Sequence, residues 1–396
     1  MAVGAAGTGH PVGTRYNSRM RTHPDVLVVG AGVIGLTTAY YLARDGAVVR
    51  VIDRSQPGTE ASWAGAGIIP PGNADRATTP YDRLRAESSR AFAALSADLR
   101  DQTGIDNGYR VCGGIEVFDR PNPLVTALWT AEGIEFVPVS GDTVKDLEPA
   151  AALPFAEVYH LPAMAQVRNP WHLRALLVAC ERVGVRIEPN VAAVRFRTTG
   201  NRVVAVVAES GPEYEASRFL IASGAWSDRL LGQLGLRTGI HPVRGQMVLF
   251  HPPAPLLRRV ICFEKRYLVP REDGRILVGS TEEPEAGFEK RTTEAGVAGL
   301  VRFAIEVVPA LANVPVAQAW AGLRPGSPDG MPSLGLVPGW ENAFVAAGHY
   351  RAGIQLSPAT GRLMADLIAG RPPTLSLEAF RPDRPPAPAI TTAFRS

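Results

Sequence analysis

The stretch from Asp25 to Asp53, DVLVVGAGVIGLTTAYYLARDGAVVRVID, restricts this chain more than any other. An apolar run, Val26 to Val29, enters Gly30-Ala31-Gly32-Val33-Ile34-Gly35. A helical spacing of Leu36, Ala39, Tyr40 and Ala43 follows, and a second apolar run, Val48 to Ile52, ends on Asp53. Strand, glycine turn, helix, strand and acid in that order predict a βαβ unit suited to a dinucleotide. Gly30 permits the tight turn, Gly32 lets the backbone approach a pyrophosphate, and Gly35 lets helix and strand pack closely. The helix start offers N–H groups and a positive dipole end to phosphates. Asp53, 23 positions past Gly30, is placed to accept hydrogen bonds from a ribose. A glycine triplet alone fits an ordinary turn equally well. The agreement of both strands, the helix and the acid favours a ligand, without separating NAD from FAD.

A chain of 396 residues can bury a large core and make two domains. A net charge of +3 with no dense Lys/Arg run gives nucleic acid no footing. No apolar run reaches the roughly 18 residues that span a bilayer. Cys112, Cys180 and Cys262 are too scattered for a metal site or disulfide framework and point to a reducing, cytoplasmic setting. The histidines show no ligand spacing, so no metal is expected. Residues 1–24 carry several Arg, no acid and no apolar leader segment. They read as a disordered tail, with Met20 as a candidate natural start that N-terminal sequencing of natively expressed protein would test.

Ala61 to Pro70, ASWAGAGIIP, is dense in small residues that let backbone lie against a flat ligand. Residues 81–103, 124–133, 173–183 and 293–308 read as helices, Asn169-Pro170 breaking the chain ahead of the third. Tyr109 to Phe118 reads as a strand pair about Gly113-Gly114. Arg186 to Phe196 and Val203 to Ala208 read as strands around Gly200-Asn201, and residues 243–281 as antiparallel strands. Trp320 to Gly335 reads as turn-rich. Asn342 to Gly348 reads as a last buried strand, leading through residues 349–353 to a helix near Pro358 that ends at Ile368. Phe219 to Ser227 is a buried strand running into small residues, a second place where the sheet meets the dinucleotide. Two such places suit FAD, which spans a site end to end.

The predicted fold is α/β: a Rossmann-like FAD-binding domain with a discontinuous, antiparallel-sheet α+β substrate domain. The FAD-binding domain takes residues 25–108, 168–238 and 319–384, the substrate domain 109–167 and 239–318, and residues 385–396 a loose tail. The ligand site belongs in the cleft between them.

The pieces GAGVIG, ASWAGAG, ASGAWS, PVRGQMV, RYLVPR, WAGLRPGSPDG and AAGHYRAGIQLSPATG lie within residues 25–384. Together they resemble the D-amino acid oxidase superfamily of flavoproteins, most of all the glycine oxidases of thiamine biosynthesis. The resemblance implies non-covalent FAD, with Val33 and Ile34 in the pyrophosphate turn and Asp53 and Arg54 at the adenosine ribose. Ala61, Ser62, Ala66, Gly67 and Ile68 would line the flavin or its linker, and Val191 would meet the adenine through its backbone. His349, Tyr350, Arg351, Ala352, Gly353, Ile354 and Gln355 would wrap the isoalloxazine ring. It further implies that Arg324 pairs with a substrate carboxylate, Tyr267 hydrogen-bonds it and Arg351 sits beside the substrate.

Each of these also has a plain structural reading: Arg324 as an ion-pair residue, Tyr267 as a core tyrosine, Arg351 as a surface turn. His349 reads as a loop histidine and not a base; Trp63, Trp171 and Trp226 read as packing residues. Three positions depart from the pattern. Glu282 stands where an apolar residue is usual, Ile68 where methionine is common, and Gly322 where monomeric sarcosine oxidases carry the flavin-linking cysteine. The implied activity is oxidation of glycine, sarcosine or a small D-amino acid by O2 to an imine and hydrogen peroxide, the imine feeding thiazole formation. A dehydrogenase of the same fold with another acceptor, a non-catalytic flavoprotein subunit and an NAD enzyme remain alternatives. The partners are a small amino acid and O2, and a homo-oligomer is compatible with the sequence.

Overall fold

The first strand, Val26–Val29, pairs in parallel with Val49–Ile52 on one side and Arg218–Ile221 on the other, and all four of its residues are buried. The computed structural model in which this is seen describes residues 23–153, 157–385, 387–389 and 394. The expectations for residues 1–22, Met20 among them, lie outside the described residues. The central sheet has the order Ser333–Leu336, Ala343–Ala347, Arg218–Ile221, Val26–Val29, Val49–Ile52, Arg186–Glu188. Only its first, edge strand runs antiparallel. Val26 and Val28 face helices Val33–Arg44, Pro80–Thr103, Asn169–Arg182 and Gly353–Ile368. Leu27 and Val29 face the other way, onto a layer holding the antiparallel meander Ala193–Thr199, Arg202–Ala208 and Glu213–Glu215. Burial on both faces explains why these strands read as continuous apolar runs.

The second sheet has eight strands: Val316–Gly326, His241–Phe250, Ile276–Gly279, Arg266–Pro270, Val260–Phe263, Gly114–Phe118, Glu157–Leu161 and Val137–Pro138. Helix Glu294–Val307 covers one face through Leu300, Phe303, Ala304 and Val307. The opposite face carries Met247, Val269 and Leu277, packed in one cluster with Ala66 and Trp129.

Several sequence expectations change. Pro170 does not break the chain ahead of its helix; it occupies the first turn of Asn169–Arg182, where a missing N–H costs nothing. Arg110–Val111 and Gly114–Phe118 are not a hairpin but belong to different sheets. The run from Arg186 splits likewise, Arg186–Glu188 joining the central sheet and Ala193–Thr199 the meander, with Asn190 at φ 60° between them. The expected turn-rich stretch Trp320–Gly335 opens instead inside the eleven-residue strand Val316–Gly326, paired along its length with His241–Phe250. Pro and Gly are tolerated there because the partner strand lies on one side only. Pro358 lies inside its helix, and the Ser357 hydroxyl donates to the Ile354 carbonyl that a proline cannot serve. In the segment expected to be a loose tail, Phe394 is buried, stacked on Trp129 at 5.6 Å.

Candidate active site

One cavity of about 670 Å³ runs from the glycine turn of the central sheet to the inner face of the eight-stranded sheet. Its first end is built by the βαβ unit. Gly30 has φ 115°, and a Cβ there would lie 2.4 Å from the Ala222 carbonyl oxygen, so the turn and the second sheet–ligand point touch only because the side chain is absent. Asp53 lines this end, but its carboxylate is already engaged: Oδ2 accepts from Ala31 N at 2.7 Å and Oδ1 from Ser55 N at 2.9 Å. Its first task is therefore to pin the turn, with remaining acceptor capacity for a ribose. Ser62 Oγ accepts the Val33 N–H at 3.0 Å, so the hydroxyl shares the helix start with whatever anion sits there. Val191 spends its N–H on the Asp53 carbonyl at 2.7 Å, which leaves only its own carbonyl for an adenine. The Arg54 guanidinium lies 3.5 Å from the Trp226 ring centroid, and both line the cavity. Trp226 is thus a site wall and not packing alone, whereas Trp171 is 40% exposed.

The middle of the cavity is formed by residues 61–68. Ala61–Ala64 make a short helix held by Trp63 edge-on to Trp320 and by Trp320 Nε1 donating to the Ala64 carbonyl at 3.1 Å. Arg271 fastens the following loop by donating to the carbonyls of Ala66 and Val167. A Cβ on Gly67 would fall 2.1 Å from the Val167 carbonyl oxygen. Facing this segment, Gly353–Ile368 begins its helix with Gly353, Ile354 and Gln355 on the cavity wall. His349 is buried, its Nε2 within 3.2 Å of Thr360 Oγ1, and burial pushes its pKa down to about 3. It stays neutral and cannot act as an acid or base near neutrality.

The far end is set by strand register. Val243, Gly245 and Met247 pair with Arg324, Gly322 and Trp320, so the alternate residues of two strands share one face. A Cβ on Gly245 would lie 2.2 Å from the Arg324 guanidinium; the glycine makes the room that the arginine occupies. Arg324 Nη1 donates to the Thr281 carbonyl at 3.1 Å. No carboxylate among the described residues lies within ion-pair distance of it, and burial, followed by the nearby Arg351 charge, pulls its pKa down. Tyr267 lines the same end, its hydroxyl 3.5 Å from Met247 Sδ. Arg351 donates through Nη2 to the Lys265 carbonyl, while its buried Nη1 has no hydrogen-bond partner. Glu282 does not line the cavity: it lies behind Arg351, 3.6 Å from Nη1 and 3.1 Å from Lys265 Nζ. Burial works against its ionisation, yet the Tyr350 hydroxyl and Lys265 hold its pKa low.

The sequence model of the FAD dependent oxidoreductase family, DAO, matches residues 25–367. The chain belongs to the FAD-dependent oxidoreductase family. Glycine oxidase of Pseudomonas aeruginosa is 37% identical over 365 residues, 90% of this chain and 98% of that protein. The bifunctional protein ThiO/ThiG of Synechocystis is 32% identical over 375 residues, covering 92% of this chain and 54% of that longer protein. The crystal structure of glycine oxidase from Geobacillus kaustophilus superposes with a TM-score of 0.86 at 31% identity, over 91% of this chain and 99% of that one.

FAD fits this oxidoreductase on its own geometry. The cavity is continuous from a glycine turn to the Arg324 guanidinium, and its wall at Gly65-Ala66-Gly67 carries nothing larger than a methyl group, which suits a planar ligand. Of the residues that the sequence assigns to the site, all but two line the cavity. Gly35 instead packs its bare Cα against the Gly30 carbonyl, and Ala352 caps the 353–368 helix and faces the core. A Cβ on Gly322 would meet Ala64 Cβ at 2.5 Å, which leaves no space for a flavin-linking thiol there. Sequence reading missed Cys262 and Glu116, which line the far end. Only strand register reveals them, because residues 116, 262 and 267 are neighbours across three strands.

Proposed function

We propose that this oxidoreductase converts glycine, or a comparably small amine such as sarcosine or a small D-amino acid, to its imine with reduction of O2 to hydrogen peroxide. The imine would hydrolyse to the 2-oxo acid or supply thiazole synthesis in thiamine formation. The observation that carries the reading is Arg324: a guanidinium lining the cavity beside Tyr267, with no carboxylate among the described residues within ion-pair distance. The relatives named glycine oxidase and ThiO/ThiG support it.

Arg324 grips the substrate carboxylate by parallel N–H···O bonds, which fixes its plane. Tyr267 exchanges a weak sulfur contact for the same carboxylate and sets its rotation. With the carboxylate fixed, the α-carbon is held in one orientation, which is most of what C–H cleavage of this kind requires. Bound FAD supplies the two-electron acceptor and delivers the electrons to O2. The N–H groups in the first turn of the 353–368 helix, on the cavity wall, would help hold the flavin and stabilise negative charge on it. The α-amine must be neutral when the C–H bond breaks, so turnover slows as pH falls.

The side formed by the central sheet holds the cofactor and the eight-stranded side the substrate, with strand Val316–Gly326 assigned to the latter. The three cysteines are free thiols, in keeping with a cytoplasmic setting, and no described helix is long and apolar enough to cross a membrane. Incubating the FAD-loaded protein with glycine tests the reading. Bleaching under anaerobic conditions and peroxide release in air are expected. Bleaching without oxygen uptake would identify a dehydrogenase instead, and no bleaching by any small amine would end the proposal.

A further inference from the structure

The row of residues crossing the eight-stranded sheet beneath the cavity continues past Tyr267. Tyr267 is the register partner of Cys262, and Cys262 of Glu116. Partners in register share a face, and all three line the cavity. Two strand spacings, about 10 Å, separate the backbones at 267 and 116. The chamber therefore has a cationic grip at one end and a carboxyl further along the same floor. Phe118, Val125 and Trp129 form apolar wall beside that carboxyl.

Glu116 differs from the other carboxylates that the fold encloses. Glu132 pairs with Arg85, Glu148 with Arg259 and Asp329 with Arg384. No Lys or Arg among the described residues lies within ion-pair distance of Glu116, and the group that bonds it is the Cys262 thiol. Burial pushes its pKa up to about 7, the thiol hydrogen bond acting against this. A carboxyl half-buried beside apolar wall without a counter-ion is costly to keep ionised. Facing a ligand chamber, it is the group that a ligand's own cation completes.

We infer that Glu116 is a specificity-determining residue: it receives the ammonium or other hydrogen-bond donor at the far end of an amino acid whose carboxylate Arg324 holds, and it turns away a second carboxylate. The inference rests on the proposed function. It adds short diamino monocarboxylates to the substrates and disfavours amines carrying two carboxylates.

Valerate, δ-aminovalerate and glutarate share one chain length and lack an α-amine, so they bind without turning over. Each is titrated into the FAD-loaded enzyme and followed by the flavin absorbance shift. δ-Aminovalerate is expected to bind at least about tenfold more tightly than glutarate, the scale of one favourable against one unfavourable charge contact. Glu116→Gln, which keeps the shape and removes the charge, should shrink that ratio to under about threefold. Glutarate binding as tightly as δ-aminovalerate to the wild-type enzyme overturns the inference without recourse to any variant, and so does an unchanged ratio in Glu116→Gln. Acetate separates the two levels of the argument. If acetate shifts the spectrum and Arg324→Met abolishes the shift, the anion grip stands whatever Glu116 does; if acetate has no effect, the proposed function fails and takes the inference with it.

Discussion

Replacing Arg324 with methionine separates a substrate anchor from a structural ion-pair residue, because the two roles predict opposite signs of stability change. In the structure, the guanidinium donates to the Thr281 carbonyl at 3.1 Å, and no carboxylate among the described residues lies within ion-pair distance. It is repelled by Arg351 and penalised by burial. Exchanging such a group for an apolar side chain of similar reach is neutral or stabilising, so Tm should hold or rise. Substrate binding should suffer instead. Losing one partner of a desolvated, hydrogen-bonded charge pair costs about 3 kcal/mol, a rise in KM for glycine of somewhat over a hundredfold. FAD content, read from the visible absorbance per protein, should stay at the wild-type ratio, since the residue lies at the opposite end of the cavity from the glycine turn. Steady-state peroxide assays over a wide glycine range, with a thermal unfolding scan on the same samples, measure all three. An unchanged KM, or a Tm loss of several degrees with KM intact, would refute the reasoning.

At the nucleotide end, Arg54→Ala removes the guanidinium stacked on Trp226. FAD should dissociate about fivefold more readily, the worth of a partly exposed cation–π contact, with kcat unaltered at saturating FAD; fluorescence titration of the apoprotein decides it. His172 is buried beside Phe92, with its pKa pushed down to about 4 by burial. Below pH 6.5 the unfolded chain gains a proton there that the folded chain refuses, so stability falls with pH. The loss should be about 2 kcal/mol between pH 7 and 5, and His172→Gln should lose correspondingly less Tm over that interval. Phe394, 4% exposed against Trp129 and 5.0 Å from the Arg85 guanidinium, closes the apolar wall of the chamber. Phe394→Ala should cost about 3 kcal/mol, the scale of truncating a buried Phe, and should widen the range of amines that bind.

The parts of this architecture written in local pattern were legible before any coordinates. The 25–53 unit was legible because strand, turn and helix each carry their own periodicity and agree. Pro80–Thr103 appeared almost to the residue because Thr79 caps it, accepting from Asp82 N at 3.0 Å, and Gly104 ends it at φ 73°. What failed was long-range pairing. Val316–Gly326 looked like turns because WAGLRPG is rich in strand breakers. Its order comes from ten register partners in His241–Phe250, more than seventy positions away in sequence for most of them. Glu282, just past Val278-Gly279-Ser280-Thr281, could face the cavity or water by sequence alone. Only the fold shows it spent on Lys265 and Arg351. Glu116 carried no signal at all, since an isolated Glu inside GIEVF reads as the exposed member of an alternating strand.

On the proposed function, the charges at the far end favour Arg324 over Arg351 as the residue that would hold a substrate carboxylate. Arg324 and Arg351 stand close together, and burial, followed by the Arg351 charge, pulls the Arg324 pKa down. Glu282 approaches Arg351 Nη1 at 3.6 Å and acts on Arg324 only from beyond ion-pair distance. Arg351 is further tethered by the Lys265 carbonyl, and its backbone is fixed by Tyr350, which sits at φ 49° with its hydroxyl on Glu282. The cations Arg324, Arg351 and Lys265 thus outnumber the one carboxylate, Glu282, and Arg324 is the one whose neighbour Gly245 leaves space around it. A substrate carboxylate would lower that excess. A second carboxylate reaching along the floor would run into Glu116. Converting Glu282 to glutamine should therefore not create a new substrate contact. It should leave two buried cations unanswered, tighten acetate binding and lower Tm together. A variant that changed substrate preference with no change in anion affinity would place Glu282 in the chamber and contradict this arrangement of charge.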